Sequence, residues 1–209
     1  MKIKNGINLY KYAKTLIPGG TTLFSKRSEL YLPNKWPAYF KKTNKINVWD
    51  LNGNKYLDMF CAVGTSILGY GNERVNKSVL KNIENGNMST LNCPEEVSLA
   101  KTIIKHHSWS SMAKFTRGGG EANALAIRIA RSFTKKKNIA FCGYHGWHDW
   151  YLSANINSKN NLDQHLMSGL NYDGIPEKLK NTSFPFPYNN FEYLKKLVEK
   201  KNIGIIKRE

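Results

Sequence analysis

Three consecutive glycines, Gly118-Gly119-Gly120, run straight into a helix-like segment in the stretch FTRGGGEANALAIRIAR, residues 115–131. Glycine loses more backbone entropy on folding than other residues and packs nothing, so such a run needs a reason. The preceding AKFT reads as a strand end. After the glycines, Ala122, Leu125, Ala126, Ile129, Ala130 and Phe133 recur at three- and four-residue spacing, an amphipathic stripe with Arg128 and Arg131 off it. The glycines are therefore expected at a strand-to-helix turn. The first N–H groups of a helix lack partners within it and the helix dipole favours negative charge there, so bare backbone at this turn suits an anion such as a phosphate. A tight turn in which glycine only relieves crowding fits the spacing equally well.

The neighbouring segments set the fold class. Met112–Thr116, Asn138–Cys142 and Ile203–Ile206 are apolar stretches short enough for buried strands, each followed by a loop or helix. Helices are expected over Leu9–Ile17, Arg74–Glu84 (stripe Val75, Val79, Ile83), from Pro94-Glu95-Glu96 onward, and over Phe191–Lys200. In the N-terminal part, INVWD and KYLDM flank LNGN, whose Asn52-Gly53 pair suits a hairpin turn. The alternation of strand and helix predicts an α/β fold with a mainly parallel sheet. Ser158–Tyr188, with weak periodicity and several prolines and glycines, is expected to be irregular.

A second unusual stretch, CGYHGWHDWY (Cys142–Tyr151), follows the strand-like NIAF. Ligands of open α/β sheets gather at the carboxyl ends of strands, so the glycine turn and this aromatic loop become neighbours if their strands are adjacent. A phosphate cradle beside an aromatic ring points to a phosphorylated aromatic cofactor. A metal held by His145, His148 and Asp149, or plain core packing of the aromatic residues, are the alternatives.

Composition narrows the rest. At 209 residues the chain suffices for one or two domains, and it has no apolar run of the length that spans a bilayer. The N-terminus lacks an apolar signal-peptide core, so no secretory signal is expected. Cys61, Cys93 and Cys142 are an odd, widely spaced set, which predicts reduced thiols and a cytoplasmic setting rather than disulfides or zinc. The net charge of +17 raises a nucleic-acid partner, but the longest basic run is only Lys135-Lys136-Lys137, and a solvated basic surface accounts for it.

Along nearly its whole length the sequence resembles the class III aminotransferases, pyridoxal-phosphate enzymes of fold type I, and within them the glutamate-1-semialdehyde aminomutase group. PGG (18–20), VWDLNGNKYLDMF (48–60), ILGYGNERV (67–75), FTRGGGEANALAIRIAR (115–131) and YHG (144–146) occur in the family's order. The resemblance implies pyridoxal 5'-phosphate as cofactor, its phosphate held by the amides of Gly118, Gly119 and Gly120. Tyr144 would stack on the pyridine ring, with His145 and Gly146 completing the loop. The family's usual Ser-Gly-Thr-Glu-Ala is here Gly-Gly-Gly-Glu-Ala, so both hydroxyls are absent, and Arg117 is the expected substitute cation.

Other departures bear on substrate. Where the aminomutases carry Ser and Arg as a carboxylate clamp, this chain has Leu23 and Lys26, with Arg27 adjacent, and Val63 replaces a Trp. Lysine does not reproduce a bidentate arginine, so an aminotransferase for another amino compound fits better than an aminomutase proper. The family's catalytic lysine, which carries the cofactor as a Schiff base, is expected beyond Glu209, so the chain reads as an N-terminal half that is inactive alone. Residues 1–59 are expected to cover the active site and contribute to the small domain, and 60–209 to form an incomplete cofactor-binding domain. A small-molecule amino donor, a carbonyl acceptor and a homodimer are implied, and no metal. The rival readings are a non-catalytic phosphate-binding remnant and a basic nucleic-acid-binding domain.

Overall fold

A computed structural model of the chain describes residues 5–86, 88–156, 161–162 and 172–208. They fall into two compact units, residues 1–93 and 94–209.

The N-terminal unit opens with α1 (Gly6–Ala13), whose N-cap is Asn5: its side-chain oxygen accepts from the N–H groups of Ile7 and Asn8. The cap sets the start three residues earlier than the predicted Leu9, and turns rather than helix carry the chain from Ala13 to Pro18. A three-stranded antiparallel sheet follows in the order β1 (Phe40–Asn44), β2 (Asn47–Asp50), β3 (Lys55–Leu57). The predicted hairpin joins β2 to β3, with Gly53 at φ 90°. Asp50 organises it: one carboxylate oxygen accepts from the N–H groups of Asn52 and Asn54, both at 2.9 Å, and the other from the Asn54 side chain and the Tyr56 hydroxyl. Helix α2 (Glu73–Glu84) is capped by Asn72, and its stripe of Val75, Val79 and Ile83 is exposed.

The C-terminal unit begins with α3 (Pro94–His106) and is built on a three-stranded parallel sheet, order β5 (Ser183–Pro185), β4 (Asn138–Cys142), β6 (Ile203–Arg208). Helices α4 (Gly119–Thr134), α5 (Asp149–Leu152) and α6 (Phe191–Lys201) complete it. Side chains alternate across the central strand. Ile139 and Phe141 pack with Ile127 of α4 and with Trp150, Tyr151 and Leu152, while Ala140 and Cys142 meet Phe186, Leu194 and Leu197 on the other face.

Three expectations need correction. Met112–Thr116 is not a strand: no strand lies beside it among the described residues, and a strand exists only through its ladder. Helix α4 forms as predicted, but the face it buries is centred on Ile127 (2% exposed), while Ile129 and Phe133 of the predicted stripe stand exposed. Within Ser158–Tyr188 the chain contributes β5, hydrogen-bonded to β4, so that segment is not wholly irregular; its residues 158–160 and 163–171 lie outside the described residues.

Candidate functional site: a glycine turn under an aromatic loop

Gly118 is the N-cap of α4, extended at φ −160°, ψ 160°, and no side chain caps the helix. The N–H groups of Gly119, Gly120 and Glu121 begin the first turn, where a helix offers no acceptor. A Cβ added at Gly118 or Gly119 would meet nothing within 4 Å, so the backbone there faces open space. The turn is braced from behind. The Glu121 carboxylate accepts from the Arg117 N–H at 3.1 Å, a variant of the capping box, and the Thr116 hydroxyl donates to the Gly118 carbonyl at 3.1 Å. Thr116 and Glu121 escaped the sequence reading, although an acid three residues after an N-cap is a usable signal.

The aromatic loop crosses this turn. A Cβ at Gly120 would stand 2.9 Å from the His148 ring, and one at Gly146 (φ 98°) would stand 3.4 Å from the Gly120 α-carbon. Two bare positions thus let the two segments touch. His148 in turn stacks on Trp147, centroids 4.6 Å apart and 13° between planes. The loop after β4 and the turn before α4, predicted as neighbours, are brought together.

The predicted loop residues divide by environment. Tyr144 is 37% exposed and set edge-on to Tyr151, with centroids 6.1 Å apart. His145 is only 2% exposed, and its Nε2–H donates to the Cys142 carbonyl oxygen at 3.0 Å. Its ring packs among Phe141, Trp150 and Tyr151, so it anchors the loop from inside. Arg117 is exposed. Among the described residues no group of three or more His, Cys, Asp and Glu is placed to hold a metal ion.

Lys26 and Arg27 belong to the N-terminal unit. Lys26 is exposed at the end of a single helical turn, Phe24–Lys26. Arg27 lies over the Phe24 ring at 4.6 Å, and its guanidinium presses on the Pro18–Gly20 turn: a Cβ at Gly19 (φ 74°) would be 2.5 Å from Nη2. That side chain braces the glycine turn of its own unit, which leaves Lys26 the more available cation.

The site's open amides and partly exposed ring suit a phosphate on an aromatic body; what they lack is any hydroxyl directed by the three glycines. Comparison with known proteins agrees with that chemistry. The model of the aminotransferase class-III family matches residues 32–201. The chain is 32% identical over 200 residues to a 3-aminobutyryl-CoA aminotransferase of Cloacimonas acidaminovorans, covering 95% of this chain and 44% of that protein. It is 34% identical over 203 residues to a glutamate-1-semialdehyde 2,1-aminomutase of Wigglesworthia glossinidia brevipalpis, covering 94% and 45%. Among solved structures, the Sphingopyxis sp. MTA144 FumI protein in its PLP internal aldimine form superposes with a TM-score of 0.76 at 23% identity, covering 93% and 43%; PLP is pyridoxal phosphate. The chain spans a little under half the length of these relatives. With the family model matching most of its residues, the chain belongs to the class III aminotransferases.

Proposed function

We propose that the protein to which this chain belongs transfers an amino group between a small amino compound and a carbonyl acceptor, using pyridoxal 5'-phosphate. The observation that carries this reading is the open backbone at Gly118 and Gly119, beside the point where the aromatic loop touches Gly120, in a class III chain. When bound, the cofactor supplies an electron sink for charge developing on the substrate carbon.

The residues of this chain hold and orient. The amides of Gly119, Gly120 and Glu121 receive the phosphate dianion, aided by the helix dipole. Arg117 adds a neighbouring positive charge in place of the missing hydroxyls. Tyr144 covers the ring, and His145 keeps the loop in place through the Cys142 carbonyl. Lys26 meets the substrate's anionic end as a point charge, which favours an aminotransferase over an aminomutase. The second reading, aminomutase proper, draws on the 34% identity to the Wigglesworthia enzyme.

The remaining assignments belong to the same reading. The catalytic lysine lies beyond Glu209, residues 1–59 cover the site and 60–209 carry the cofactor. The whole protein is a cytoplasmic homodimer. Among the described residues no helix is long and apolar enough to cross a membrane.

The test is a titration of the chain with pyridoxal 5'-phosphate, followed by absorbance, with inorganic phosphate as competitor. Saturable binding that phosphate displaces and Gly119→Val abolishes is expected. Binding that ignores both phosphate and that substitution would overturn the cradle.

A further inference from the structure

A second concave surface of the C-terminal unit runs along α4 beyond its first turn. It is a cleft of about 510 Å³, lined on its polar side by Arg128, Arg131, His148, Asp149 and the rings of Trp147 and Trp150. Ala124, Ile127 and Leu179 supply apolar wall. The volume is that of a small-molecule site.

Its donors are unmatched. Trp150 is 5% exposed, and its indole Nε1 is buried without a hydrogen-bond partner. Nη2 of Arg131 is in the same condition, although Nε of that guanidinium donates to the Lys137 carbonyl oxygen at 3.0 Å and fixes its plane. Among the described residues, neither Arg128 nor Arg131 has a carboxylate within ion-pair distance. Burial already disfavours the charged form of Arg131, lowering its pKa. Buried donors left without acceptors are costly and uncommon in native folds, so two on one cleft call for an acceptor from outside the chain. Among the described residues Asp149 is the only acid in the lining, and two guanidinium groups outweigh it.

We propose that this cleft binds an organic anion with an aromatic or apolar body, whose carboxylate or phosphate oxygens accept from Trp150 Nε1, Arg131 Nη2 and Arg128. Trp150 and Arg131 both line the cleft, so an anion there reaches these nitrogens once the two side chains turn towards it. The cleft borders the cofactor cradle through His148 but uses different donors: the cradle uses backbone amides of the first turn of α4, the cleft uses side chains further along the helix and in the loop.

The test uses phenyl phosphate, inorganic phosphate and benzyl alcohol, which offer charge with body, charge alone and body alone. Binding is read from the indole ¹H–¹⁵N resonance of Trp150, identified by its loss in Trp150→Phe. Phenyl phosphate should shift it saturably and bind at least about tenfold tighter than either other probe. Arg128→Gln, at an exposed position, should weaken phenyl phosphate about fivefold. Gly119→Val should leave this binding intact, whatever becomes of the cofactor. An indole resonance that stays put at high phenyl phosphate, or wild-type affinity in Arg128→Gln, would overturn the proposal.

Discussion

The imidazole of His148 lies across the α-carbon of Gly120, so close that a Cβ there would stand 2.9 Å from both its Cδ2 and Nε2. The ring is also stacked on Trp147. Gly120→Ala should therefore lower stability by about 1–3 kcal/mol, the usual cost of overpacking. In a helix interior alanine is otherwise the better residue, by about 1 kcal/mol. The double variant Gly120→Ala/His148→Ala should accordingly recover much of the loss. A double-mutant cycle of denaturant melts measures this, and additive effects would mean that the two residues do not meet.

Gly119 is the opposite case. Nothing stands within 4 Å of a Cβ there, and its φ is helical, so Gly119→Ala should fold as well as the wild type or slightly better. The same methyl group intrudes on the face where the amides are open. Pyridoxal 5'-phosphate and inorganic phosphate should both bind about tenfold more weakly, while the melting temperature holds or rises. A loss of stability with unchanged phosphate affinity would show that this glycine serves the turn alone.

Tyr144 offers a ring with part of its surface open and one edge against Tyr151. Removing it in Tyr144→Ala should weaken cofactor binding by about 3- to 10-fold, the worth of an aromatic pair. Tyr144→Phe, which keeps the face, should bind nearly as the wild type. Equal losses in both variants, measured by absorbance titration, would assign the effect to the hydroxyl instead.

How much of this was legible in the sequence depends on whether the deciding interaction was local. The hairpin around Asn52-Gly53 and the start of α4 at three glycines are fixed by φ preferences and unpaired amides a few residues away, and both were readable. Helix α4 is apolar around much of its circumference, with Ala124, Leu125, Ile127 and Ile129 on different sides, so period alone could not tell which face meets β4. Met112–Thr116 has the composition of a strand but no ladder neighbour among the described residues, and composition cannot supply one. The inward turn of His145 onto the Cys142 carbonyl and the grip of Arg27 on Gly19 are likewise tertiary facts, and histidine and arginine carry no mark in sequence of which way they face.

In the N-terminal unit, Glu29 joins the Lys14 ammonium and the Tyr10 hydroxyl, tying α1 to the turn at Ser28–Leu30. The hydrogen bond from Lys14, then those from the backbone and from Tyr10, hold the Glu29 carboxyl at a pKa of about 2, below its ordinary 4.5. A depressed carboxyl pKa favours folding only where the unfolded carboxyl is ionised, so the contribution is complete above about pH 5 and fades as pH falls towards 2. Both side chains are well exposed, so the effect is modest and salt-sensitive. Wild type and Glu29→Gln should differ in denaturant midpoint by a constant amount from about pH 7 down to about pH 5. Below that the two curves should approach each other, meeting near pH 2. Added salt should shrink the difference at neutral pH. A gap that persists undiminished to pH 2 would assign the role of Glu29 to packing or hydrogen bonding in its neutral form, not to its charge.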